Sequence, residues 1–210
     1  MGIKKIVKVW DEGNLLMENI KFLKNKTRNV FFPLTHNSLN ILNDLLDSYQ
    51  NTPCAGIAAN QLGYDKSIFI GIKEYDESID EEELEEKESK HVEENEDINE
   101  YADNYEFYIN PTIEFESKKS TQEEVEGCLS IPMLSLRIKR FNKIKIRYYN
   151  KEGKVIKKSL KGFMSKLFQH EVDHLNGILM PENDVIEGFI EKESFVTPEL
   201  YEKLQSELSQ

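Results

Sequence analysis

Residues 163–175 read FMSKLFQHEVDHL. Phe163, Leu167, Phe168, Val172 and Leu175 recur at the three- and four-residue intervals of one helical face, and Gly177 supplies a stop just beyond. The spacing predicts a helix over 163–175. On it His170 and His174 lie four apart, so both imidazoles stand on one face with Glu171 beside them. Two imidazoles and an adjacent carboxylate can hold a divalent metal and supply a general base. The plain alternative is a helix whose histidines make only surface or core hydrogen bonds.

A third ligand would decide the sort of site, because a catalytic metal centre wants three protein ligands and one open position. A histidine three residues beyond Gly177 would mark one class of zinc peptidase, but that position is Met180. Glu187, Glu191 or Glu193 downstream could serve another class. Upstream, Cys128 sits in the segment EGCLSIP, after Gly127 and between expected strands. A thiolate with two imidazoles suits zinc or ferrous iron; Cys128 could equally be a small buried hydrophobe.

Around these segments the chain alternates one further helix with strands. Leu39, Leu42, Leu45, Leu46 and Tyr49 predict an amphipathic helix over 38–49, with Pro53 soon after. SIFIGIK (67–73) and EFYINPTIEF (106–115) read as strands on either side of an insertion. NKIKIRYY (142–149), turn residues 150–153 and VIKKSL (155–160) read as a hairpin, so the sheet is expected to be mostly antiparallel.

A chain of 210 residues can bury one full core, and one catalytic domain over 1–210 is expected. Its net charge of −12 is concentrated: residues 74–100 hold 15 acidic residues against Lys87 and Lys90, leaving the rest near neutral. So few apolar residues cannot offset the entropy of ordering, so a disordered acidic insertion is expected at about 74–104. No apolar run approaches the roughly 18 residues of a membrane span, and Met1–Asp11 has no signal core. Gly2 does not open a myristoylation signal, since position 6 is Ile6 rather than Ser or Thr. A cytoplasmic protein is expected, its two cysteines, Cys54 and Cys128, reduced, packed or metal-bound.

Three separated segments together resemble the signature motifs of peptide deformylases. Gly56-Ile57-Ala58-Ala59-Asn60-Gln61 is similar to the first, which ends Ala-Ala-any-Gln. Glu126-Gly127-Cys128-Leu129-Ser130 matches the second, and Gln169 through Leu175 matches Gln-His-Glu-any-Asp-His-Leu, the third. The similarity runs from about Cys54 to Leu179, apart from the acidic insertion. It implies an α+β fold with mostly antiparallel sheets packed around a central helix that carries HEVDH.

By this resemblance Cys128, His170 and His174 bind the metal and Glu171 is the general acid and base. Gln61 and the main-chain N–H of Leu129 stabilise the developing oxyanion, while Gly56, Ile57, Glu126 and Gly127 bind substrate. The implied ion is Fe2+ in the cell, with Zn2+, Ni2+ or Co2+ able to occupy the same ligands. The implied partners are N-formylmethionyl nascent peptides, with a transient ribosome contact and no direct nucleic-acid motif. Asp173 is expected to orient a ligand or nearby backbone, and Arg140 to pair with Glu126 and hold the cysteine loop, contributing little if exposed. His36 and His91 are expected to be solvated. Departures from the family pattern are Cys54 for its first glycine, Ala55 for a larger aliphatic, Met133 where a small or polar residue is usual, and the opening VKVWDEGNLL. The rival readings are an HExxH zinc endopeptidase using a downstream glutamate and a non-catalytic binding protein of the same fold.

Overall fold

A computed structural model describes residues 3–75, 98–192 and 194–209. Most of the acidic stretch, with His91, and also Glu193 lie outside the described residues. Three antiparallel sheets are formed. A two-stranded ribbon joins β1 (Trp10–Asp11) to β2 (Asn14–Leu15) and leads into α1 (Met17–Leu23). Five strands stand in the order β3 (Gly56–Ala58), β4 (Ile68–Ile72), β5 (Tyr105–Glu116), β8 (Lys143–Tyr149) and β9 (Val155–Lys161). The third sheet has the order β10 (Val185–Ile190), β7 (Leu134–Phe141), β6 (Thr121–Gly127). This is the α+β, mostly antiparallel architecture expected from the motifs.

The helix predicted over 163–175 is α3, Gly162–Asn176, with Leu167, Phe168, Val172 and Leu175 buried. Phe168 lies edge-on to Phe69 of β4 and Tyr108 of β5, which fastens the helix across the five-stranded sheet. Gly177 ends it at φ +73, and a Cβ there would fall 2.2 Å from the Lys24 carbonyl oxygen, so only glycine lets the chain turn under that segment. The other predicted helix is α2, His36–Gln50, whose start is capped by the Thr35 hydroxyl accepting from the Ser38 N–H. Its buried stripe is Ile41, Leu42, Leu45 and Tyr49, while Leu39, expected inside, is exposed because Ile41 takes the inward position. His36, its first residue, is exposed.

The strands flanking the insertion are paired directly, Ile68 opposite Ile109 and Ile72 opposite Tyr105. Its near flanks, expected within the disordered stretch, are held by specific bonds. Glu74 and Asn104 exchange hydrogen bonds, and the buried Asn99 amide donates to the carbonyls of Tyr49 and Cys54. The opening segment that fits the family pattern poorly buries Val9 and Trp10 completely. Elements without a counterpart in the sequence reading include β1, β2, α1, β3, β10 and α4 (Pro198–Leu208), the last of which covers the three-stranded sheet with Leu200 and Leu204. Among the described residues no helix is long and apolar enough to cross a membrane.

Candidate metal centre

One edge strand of each larger sheet, β3 of the five-stranded sheet and β6 of the three-stranded sheet, ends at one cavity, and α3 packs against β3 and β7. The cavity is about 620 Å³ and is lined by Gly56, Gln61, Gly127, Cys128, His170 and Glu171 among others. Cys128 follows the last residue of β6 in a tight turn that the Ile131 N–H closes onto the Cys128 carbonyl. That turn aims the thiol at α3, where His174 Nε2 lies 3.2 Å from Sγ. One donor atom each from Cys128, His170 and His174 falls within 4.8 Å of the others, the one such group among the described residues. Of the downstream glutamates, Glu187 and Glu191 do not join it: Glu187 lies beside Arg137, and Glu191 stands at the cavity wall. Cys54 borders the cavity as a half-buried free thiol outside the ligand group. Burial, then the nearby Glu171 charge, pushes that thiol up and keeps it protonated.

Buried charges hold these side chains in place. His170 Nδ1 and Glu126 Oε2 are 2.9 Å apart, and Glu126 takes both arms of the Arg140 guanidinium at 2.8 and 2.9 Å. Arg140 reaches on to Asp173, one turn along α3. Sequence reasoning left the worth of the Arg140–Glu126 pair open; their side chains are only 5% and 4% exposed, so it is a buried bidentate pair. Burial alone would raise the Glu126 carboxyl, but hydrogen bonds from Arg140 and His170 outweigh it and hold it at about 2. Burial would likewise raise the Cys128 thiol, yet His174 and His170 bring it down to about 5, so the residue stands as thiolate at neutral pH. A thiolate and two imidazoles converging in this way fit a divalent transition metal.

Glu171 is 2% exposed and one of its carboxylate oxygens has no hydrogen-bond partner among the described residues. Burial raises its carboxyl to about 7 against the lowering effect of His170 and His174. Gly56 leaves room for it: a Cβ at that position would lie 2.8 Å from Glu171 Oε1. Gln61 is fixed from both ends, Oε1 accepting from the Ala58 N–H at 2.9 Å and Nε2 reaching Ser130 Oγ at 3.2 Å and Cys128 Sγ at 3.8 Å. Leu129 lines the cavity beside it. Ile57 is different; its side chain is wholly in the core, and only its backbone faces the free edge.

Several supporting residues were not singled out from the sequence. Gln169 clamps the Phe141 backbone, donating to its carbonyl and accepting from its N–H, which explains a motif position that carries no chemistry. Asn60 donates to the His174 carbonyl at 2.6 Å, joining the first motif to the third. The Val7 N–H donates to the Gln61 carbonyl and the Val9 N–H to that of Ser130, so the amino-terminal segment braces both. Gln169 and Asn60 lay inside quoted motifs, whereas main-chain bonds from Val7 and Val9 leave no sequence signal.

The sequence profile of polypeptide deformylases matches residues 4–185. This chain belongs to that family. Peptide deformylase 2 of Clostridium acetobutylicum is 35% identical over 143 residues, covering 68% of this chain and 75% of the relative. The peptide deformylase of Thermotoga neapolitana is 43% identical over 72 residues, 34% of this chain, and the match spans only 43% of that relative's length. A crystal structure of the class I type b peptide deformylase from Acinetobacter baumannii, bound to Met-Ala-Ser, superimposes with a TM-score of 0.63. It is 22% identical, with 86% of this chain and 98% of that one covered, and supports the fold. The family match begins near the amino terminus, so the segment 4–53, outside the sequence resemblance, belongs to the family unit as well.

Proposed function

We propose that the chain works as one catalytic domain that hydrolyses the formyl group from the N-terminal formylmethionine of new polypeptides, releasing formate and a free amine. The observation that carries this reading is the converging Cys128–His170–His174 group with the Glu171 carboxylate, one oxygen of it unpartnered among the described residues, at the same cavity. A divalent ion held by those three side chains would supply Lewis acidity and an activated water. Fe2+ is the proposed native ion, with Zn2+, Ni2+ and Co2+ as substitutes on the same donors.

This chain's residues do the rest. Glu171 takes the proton from the water that attacks the formyl carbon and hands it to the departing methionyl nitrogen, so the C–N bond breaks without a free amide anion. A carboxyl raised to about 7 is poised for both roles near neutral pH. Gln61 Nε2 and the Leu129 N–H are the proposed donors to the formyl oxygen as it gains charge. The edges at Gly56–Ile57 and Gly127 are the proposed sites that align the peptide as an added strand. Glu126, with both oxygens committed, serves by orienting His170 rather than by touching substrate. The proposed setting is the cytoplasm, with nascent chains met at the ribosome. The test is formate release from formyl-Met-Ala-Ser by anaerobically prepared, iron-loaded protein. Formate at a rate proportional to enzyme is expected, and none from any formyl-Met peptide would overturn the reading.

A further inference from the structure

Met133 is one of three non-glycine residues described with positive φ, at +65, a conformation that L side chains rarely adopt. The turn that holds it is tied on both sides. Trp10 Nε1 donates to the Pro132 carbonyl at 3.0 Å, and the Glu191 N–H donates to the carbonyl of Met133 itself at 3.1 Å. Glycine would make the same turn without strain. What methionine adds is a side chain: Met133 packs against the core cluster around Trp10 and also lines the cavity of the metal centre.

That cavity has two walls. One comes from α3 and the segment leading into β3, with Cys54, Phe163 and Leu167. The other comes from the amino-terminal segment and the turn after Cys128, with Ile6, Pro132 and Met133. His170 and His174 stand on α3, so the methionine whose formyl group they face lies along the first wall. Successive side chains of an extended peptide point to opposite sides. The residue after the methionine therefore turns toward the second wall. Strain of this kind persists where the surroundings enforce it, and here it sets a flexible apolar side chain in reach of substrate.

Building on the deformylase reading, we propose that Met133 is a specificity-determining residue, which with Ile6 and Pro132 selects a large apolar side chain at the position following formylmethionine. Formyl-Met-Leu-Ser is then a better substrate than formyl-Met-Gly-Ser by about tenfold or more in kcat/KM, the size expected from apolar contacts in a pocket.

The experiment measures that ratio for the metal-loaded parent, Met133→Ala and Met133→Gly. Both variants should reduce the ratio to about twofold. Met133→Gly, which relieves the positive φ, should melt about 2–4 °C above Met133→Ala, so that its lost preference cannot come from unfolding. Formate release without a preference in the parent, or the parental ratio surviving in both variants, overturns the inference while leaving the deformylase reading intact. Absence of formate from both peptides overturns the reading and the inference together.

Discussion

Removing the Arg140 guanidinium tests whether the buried charge network holds the metal centre. In Arg140→Leu, Glu126 stays buried with only His170 as a partner, and Asp173 loses its cation. Both partners of the pair are at most 5% exposed, so water cannot replace the lost bonds. Breaking a buried pair from one side costs about 3–5 kcal/mol. The carboxyl supplies a second figure. Glu126 is held at about 2 against an ordinary 4.5. At about 1.4 kcal/mol per pH unit that gap corresponds to roughly 3 kcal/mol of folding free energy. The two figures agree in size. Because the folded value is depressed, this stability is complete above about pH 4.5 and is lost as pH falls toward about 2.

Urea unfolding of the metal-free protein near neutral pH should therefore show a loss of about 3–5 kcal/mol. At about 2–4 °C per kcal/mol, melting should fall by roughly 10 °C. The variant should also lose the Arg140-dependent share of the parent's decline in stability between about pH 4.5 and 2. With Glu126 no longer pinned by Arg140, its hold on His170 loosens, and metal release to a chelator should quicken by about 10–100-fold. A variant within about 1 kcal/mol of the parent, releasing metal at the parental rate, would refute the idea that this network positions the ligands.

Glu171→Gln should retain metal, measured by elemental analysis, and lose at least ~100-fold in formate release, since it removes a proton carrier and no ligand; full activity would take Glu171 out of the mechanism. Ferrous protein should be active and decay in air, whereas zinc protein should survive air and turn over more slowly, because the Cys128 thiolate and iron are both open to oxidation. Equal rates and equal air stability in the two forms would contradict this. Deleting residues 76–97 and rejoining the flanks with a short turn should leave activity on small peptides nearly unchanged, with stability altered by about a kcal/mol or less. The cut stops before Asn99, whose amide ties the segment to Tyr49 and Cys54. A folded deletion protein inactive on a formyl-Met tripeptide would make the acidic segment part of the site.

Helix α3 and the Cys/His/His group were legible because they are local or nearly so. Four-residue spacing puts His170 and His174 on one face, and the third member, Cys128, was found through a five-residue motif rather than through geometry. The α2 stripe was nearly right, yet Leu39 and Ile41 exchange roles because periodicity does not set the rotation of a helix against its sheet. Partnerships made across the fold were harder to see. Arg140–Glu126 was anticipated as a pair, but its burial depends on α3 and Asn183 closing over it. The main-chain bonds from Val7 and Val9 have no side-chain signature at all. β10 and α4 went unread although VIEGFI is mostly apolar and Leu200, Leu204 and Leu208 recur at helical spacing; that β10 joins the three-stranded sheet and α4 covers it is visible only in the fold. Met133 could be noticed as a departure from a family pattern, but its positive φ and its place in the cavity wall are visible only in the fold.

The central claim is that the buried Cys/His/His centre directs water at a formyl carbon and at no peptide carbonyl. The most direct measurement is mass spectrometry of the products from formyl-Met-Ala-Ser hydrolysed in heavy-oxygen water by iron-loaded enzyme. The account predicts labelled formate, intact Met-Ala-Ser with a free amino terminus, and no label in any peptide carboxylate. Label appearing in a carboxylate newly formed by cleavage of a Met-Ala or Ala-Ser bond, with the formyl group still in place, would contradict it and identify an endopeptidase.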